Sequence, residues 1–235
     1  MSEMVDKVRA ELIANSDEQL QKSNQHFFKE SIRCYGISSA SVVKTGQKYF
    51  KTIRDAPKAE IFGYCEELWQ SGVIEESFIA CNWSYFVSKK YETDDIKVFE
   101  RWIGKYVDNW ASCDTLCNHT VGEFLEIYPE YISQLKLWTR SSNRWMRRAS
   151  AVSLIVPARH GKFLSDILEI AGLLLLDKDD MVQKGYGWML KVASQSHQKE
   201  VFDFVMSKKE VMPRTALRYA IEKMAPDLKI NAMKK

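Results

Sequence analysis

The sequence has 235 residues, a formal net charge of +3, 46% hydrophobic residues and 28% charged residues. That balance excludes a disordered chain, and the longest apolar run, near residues 170–176, is far short of the roughly 18 residues a membrane span needs. Three surplus positive charges do not specify a polyanionic partner, so where the cations sit matters more than their sum.

The opening MSEMVDKVRAEL is mixed in charge and lacks the apolar core of a signal peptide. Five cysteines, an odd number, read as reduced thiols, so a cytoplasmic location is expected. Apolar residues recur at helical spacing, with no convincing strand alternation. Ser16-Asp17-Glu18-Gln19 has the form of a capping box and predicts a helix running toward Cys34 and stopping near Gly36. The next predicted helix starts after Ser39 and ends before Pro57, and another covers residues 59–71 with Gly72 as its stop. Thr93-Asp94 caps a helix through Phe99, Trp102 and Ile103. Pro129, Pro157-Ala158-Arg159-His160-Gly161, the aspartates of residues 177–180 and Pro213 punctuate the remainder.

About thirteen or fourteen helices on short turns, without a Gly/Ser-rich linker, predict one all-α domain over residues 1–235, an α-α superhelix (solenoid) of HEAT-like antiparallel hairpins recurring about every 35–45 residues. A helical bundle is the competing architecture; many short helices suit the solenoid better. A curved stack has a concave face available to a rod-like ligand.

Three constellations bear chemistry. Trp110 and Asp114 stand four apart and share a helical face, an aromatic ring beside a carboxylate, which suits a cationic group. A core tryptophan above a solvated aspartate fits the same spacing. Arg140, Arg144, Arg147 and Arg148 fall at i, i+4, i+7 and i+8, a basic stripe matched to phosphate oxygens. Its alternative, a solvated face balanced by acidic neighbours, is weakened because few acids occur between Gln134 and Lys162. Lys184, Trp188 and Lys191 share a third face, interleaved with Gly185 and Gly187. Each glycine costs about 1 kcal/mol against alanine within a helix, so they either admit a close neighbour or are simply tolerated. Arg159, Lys162, Lys208, Lys209, Arg214 and Arg218 fall at later hairpin ends and extend the possible phosphate track. Cys113, Cys117 and His119 lack a second ligand pair, so buried thiols are expected rather than a metal site. No glycine-rich loop follows a strand, which leaves nucleotide binding unsupported.

Taken together and in order, Trp110-x-x-x-Asp114, Trp145-x-x-Arg148-Ala149 and Val182-Gln183-Lys184-x-x-x-Trp188 resemble the AlkD-type DNA alkylation repair glycosylases, which are HEAT-like solenoids. The resemblance implies excision of cationic N3- or N7-alkylated purines from double-stranded DNA, without cofactor or metal. It makes Asp114 the catalytic carboxylate, Trp110 and Trp188 the rings that pack against the lesion's deoxyribose, and Arg148 the residue that holds the nearby backbone. Arg144, Arg147, Lys184 and Lys191 are the further expected DNA contacts, and the expected state is a monomer. Where the family usually offers an aromatic hydroxyl, this chain has Phe27, followed by Phe28, Lys29 and Glu30. A DNA-binding module without catalysis and a scaffold for a protein partner are the other readings open on the sequence.

Overall fold

The computed structural model describes residues 2–234. It packs as two compact units, Met1–Leu116 and Cys117–Lys235.

The first unit begins with α1 (Glu3–Ala14) and α2 (Glu18–Gln25). It continues through α3 (Ser39–Ile53), α4 (Lys58–Gln70), α5 (Ile74–Phe86), α6 (Asp95–Tyr106) and α7 (Trp110–Thr115). Capping chemistry sets several starts: the Ser38 hydroxyl accepts from the Ser41 amide, and Asp17 accepts from the Gln19 and Leu20 amides at 2.8 and 2.9 Å. Positive φ at Gly72 (66°) ends the α4 turn as its sequence position predicts. The buried seam joins Trp83, Phe99, Trp102, Ile61 and Leu68. Within it Phe62 lies edge-on to Trp102 at 5.4 Å, and the Trp83 indole donates to the Gly46 carbonyl at 2.9 Å.

The α2 region departs from expectation. Asp17, not Ser16, is the cap, and the helix ends at Gln25 instead of approaching Cys34. The Gln25 amide turns back to the Glu30 carbonyl and the Ile32 amide, at 2.8 and 3.1 Å. Beyond it the chain extends, so that the amides of Tyr35, Gly36 and Ile37 all donate to the buried Glu75 carboxylate at 2.9–3.2 Å. Three charge-assisted bonds outweigh continued helix here, because a buried carboxylate without donors is costly. Gly36 is therefore a loop position rather than a helix stop: its φ is +79°, and a Cβ there would sit 2.1 Å from the Asp17 carbonyl.

The second unit follows a π-helical turn (Leu116–Val121). Its helices are α8 (Gly122–Ile127), α9 (Ile132–Trp138), α10 (Arg144–Val152), α11 (Ile155–Arg159) and α12 (Leu164–Leu173). Then come α13 (Asp180–Ala193), α14 (Gln198–Lys208), α15 (Arg214–Ala220) and α16 (Pro226–Met233). Helix α13 is the axle of this unit, packed against α10, α11, α12 and α15. Two glycines make that possible. A Cβ on Gly185 would meet the Arg148 side chain at 3.3 Å, and one on Gly187 would meet Tyr219 Cβ at 2.7 Å and the Ala216 carbonyl at 2.9 Å. Both admit neighbouring helices, which resolves the question their placement raises in the sequence.

Among the described residues there is no β-strand, and no helix is long and apolar enough to cross a membrane. The five cysteines are buried thiols.

Candidate functional site

The first unit holds Trp110 and Asp114 on one short helix. Asn109 caps it, accepting from the Ser112 amide at 2.9 Å while its own amide reaches Asp108 and the Ser112 hydroxyl at 2.7 and 3.1 Å. Ser112 in turn shares a buried 2.8 Å hydrogen bond with Ser77 of α5. This buried polar chain fixes α7 to α5, and the π-helical turn begins directly after it. Asp114 is buried to 9% exposure, with Cys113 beside it fully enclosed.

Trp110 is half-buried and faces an apolar cleft of about 410 Å³ that includes Leu20, Phe27, Phe28, Ile37 and Phe78. The ring that reaches it is Phe28, stacked at 5.4 Å with 21° between planes. Phe27, the residue aligned with the family's aromatic hydroxyl, stands 73% exposed at the cleft edge.

The second unit holds the other candidates. Arg140 lies in the turn before α10 and is exposed, so the four arginines do not form one helical stripe. Arg144 pairs with Asp179 at 2.9 Å and lies over the Trp145 ring at 4.9 Å. Arg147 grips Asp177 at 2.6 Å and also donates to the Ser141 and Ser142 carbonyls at 2.9 and 3.1 Å. Arg148 is 5% exposed, lies in the recess over Gly185 and donates to the Met181 carbonyl at the start of α13. The acidic partners thus come from the 177–180 turn, outside the window in which the sequence is poor in acids. Asp179 serves twice, because it also caps α13 through the Met181 amide at 2.9 Å.

On α13 itself Trp188 is half-buried. Lys184 pairs with Asp180 at 3.2 Å, and Lys191 pairs with Glu222 at 3.0 Å above the Tyr219 ring. Lys162 and His160 both reach Glu126, at 2.6 and 2.8 Å. Burial pushes that carboxyl upward, and the Lys162 ammonium and His160 ring outweigh it, leaving it below the usual range. By contrast, Arg214 and Arg218 on α15 are exposed and line a cleft of about 370 Å³ with Thr215, Tyr219 and Glu222.

The family model of the DNA alkylation repair enzymes matches residues 8–224, nearly the whole chain. The chain belongs to that family. The AlkD-type resemblance is accordingly borne out at the level of the family, and with it a place in DNA repair. No curated protein sequence matches the chain. Among solved structures, it is similar to a predicted DNA alkylation repair enzyme from Enterococcus faecalis, with a TM-score of 0.81 and 15% identity over 90% of this chain and 98% of that one. At that identity the likeness is one of fold, and it bears out the all-α solenoid class.

Sequence reasoning missed the roles of several participants. Asn109 was findable, since an amide side chain directly before a helix is a capping signal. Ser77, Phe28 and the 177–180 aspartates act through long-range contacts, for which local spacing carries no signal.

Proposed function

We propose that this member of the family hydrolyses the N-glycosidic bond of cationic N3- or N7-alkylated purines in duplex DNA. The observation that carries the reading is Asp114: a carboxylate one helical turn from Trp110, on a helix anchored by Asn109, Ser112 and Ser77. As the bond from C1′ to the purine N9 breaks, its electron pair goes to the purine and cancels the lesion's positive charge. The sugar becomes oxocarbenium-like, and a nearby carboxylate stabilises that charge more strongly out of water than in it. Water then adds its oxygen to C1′ and loses a proton, completing the hydrolysis.

In this reading Trp110 and Trp188 offer ring faces to the cationic sugar. Arg148 acts through α13, donating to the Met181 carbonyl beside Gly185, and holds the DNA backbone near the lesion. Arg144, Arg147, Lys184 and Lys191 meet the backbone by exchanging a carboxylate partner for a phosphate. No metal or organic cofactor enters the scheme, the protein acts as a monomer in the cytoplasm, and the solenoid of residues 1–235 works as one domain.

The test is release of 7-methylguanine or 3-methyladenine from methylated duplex DNA, with wild type beside Asp114→Asn. Wild-type release well above the uncatalysed rate, with the variant at background, is expected. Equal release by both proteins overturns the reading. The low exposure of Asp114 favours a second reading, duplex binding without catalysis; it predicts salt-sensitive binding by both proteins and no base release by either.

A further inference from the structure

We propose that Arg214 and Arg218, together with the hydroxyls of Thr215 and Tyr219, seat one phosphodiester of the DNA backbone. The inference rests on the DNA-directed reading above and adds a contact outside the cationic set it uses.

The basic residues of the second unit divide into those held by a carboxylate and those that are not. Arg144, Arg147, Lys184 and Lys191 each have a carboxylate within 3.2 Å. Arg214 and Arg218 have no such partner among the described residues, and neither do the Thr215 and Tyr219 hydroxyls have a hydrogen-bond partner. The two arginines stand four apart on α15, so their side chains leave the helix as neighbours about 5–6 Å apart at Cβ. All four side chains border one cleft of about 370 Å³. Its single acid, Glu222, lies 3.0 Å from the Lys191 ammonium, and two guanidiniums against one carboxylate leave the cleft a positive surplus even when Lys191 turns to DNA. Guanidinium forks and hydroxyl donors around such a surplus match the oxygens of a phosphodiester.

The seat is also fixed relative to Trp188. Gly187, the residue before that tryptophan, lies against Ala216 and Tyr219 of α15. A backbone phosphate held on α15 therefore sets the register of the strand with respect to α13. It does so without breaking an internal ion pair.

The experiment is fluorescence anisotropy of the full chain on labelled duplex DNA across a series of salt concentrations. Each phosphate neutralised contributes about 0.9 to the slope of log K against log salt. R214Q/R218Q should lower that slope by about one unit, so that between 50 and 200 mM salt it loses about 3.5-fold less affinity than wild type. R214K/R218K should keep the slope and bind more weakly, because charge remains and the fork is lost. K7Q/K97Q, which removes two exposed lysines already on Glu3 and Asp94, should leave the slope unchanged. Wild-type slope in R214Q/R218Q, or an equal fall in K7Q/K97Q, overturns the seat while the DNA reading stands. Absence of duplex binding by wild type at low salt overturns both.

Discussion

Replacing Gly187 by alanine adds one methyl group where, of the second unit's glycines, a Cβ would meet the closest neighbour. The new Cβ would lie 2.7 Å from Tyr219 Cβ, 2.9 Å from the Ala216 carbonyl and 3.2 Å from Ala216 Cα. Carbon atoms prefer about 3.5–4.0 Å, so α13 and α15 must separate by roughly 1 Å locally. The atoms in the way are backbone and a Cβ, which no rotamer change moves. Overpacking of this kind costs about 1–3 kcal/mol, and alanine returns about 1 kcal/mol of helix propensity. The balance is a loss of up to about 2 kcal/mol, or up to about 8 °C in Tm for a chain of this size. Gly63, exposed on α4 with nothing within 4 Å of its would-be Cβ, is the matched control. There the same substitution should gain about 1 kcal/mol, raising Tm by about 2–4 °C. Thermal melts of both variants check the pair. A Gly187→Ala protein that gains stability as Gly63→Ala does would refute the close packing, and with it the claim that α15 fixes the position of Trp188.

Asn109→Ala removes the α7 cap and leaves a buried serine chain short of a donor, so a loss of about 1–2 kcal/mol should appear in denaturant melts, together with impaired base release. Arg148→Met should lower Tm as well as activity, since the guanidinium holds α13; reduced activity at unchanged Tm would instead mark a direct DNA contact. Burial pushes the Glu66 carboxyl upward, but the Tyr106 hydroxyl, Arg101 guanidinium and Trp102 indole outweigh it, and the group is held below the usual carboxylate range. Its charge therefore stabilises the fold above the unfolded-state value and ceases to do so as pH falls through the folded one. The Tm gap between wild type and Glu66→Gln should be full at pH 7 and shrink between about pH 5 and pH 3.

Local signals were legible where local chemistry decides the structure. Pro57 and Gly72 mark helix boundaries because proline and left-handed glycine act within one turn, whereas Asp94 precedes its helix without a side-chain cap bond. The pairing of Trp110 with Asp114 on one helix is legible for the same reason. The segment after α2 was not, because Glu75, about forty residues on, decides it by collecting three amides. The arginines of α10 show the same limit. Their spacing is visible in the sequence, but the Asp177 and Asp179 carboxylates that engage them arrive from a turn some thirty residues later.

That engagement makes Arg147 the sharpest test of the exchange required for backbone binding. Its guanidinium is held at 2.6 Å by an Asp177 carboxylate that is only 9% exposed, so a phosphate must displace a well-packed partner and leave that carboxylate behind. The counterions released by the phosphate are then offset by an uncovered negative charge, and little net affinity follows. Asp177→Asn removes the charge while keeping an oxygen that still accepts from the Asp179 amide at 2.9 Å. If Arg147 reaches DNA, the variant should bind duplex more tightly at low salt, with the salt slope steeper by about 0.9, because one more guanidinium is available without exchange. Anisotropy titrations at several salt concentrations, beside a thermal melt, decide the matter. An unchanged slope with a lower Tm would mean that Arg147 is a tie between α10 and the start of α13, and would leave the backbone to Arg214, Arg218 and the remaining proposed contacts.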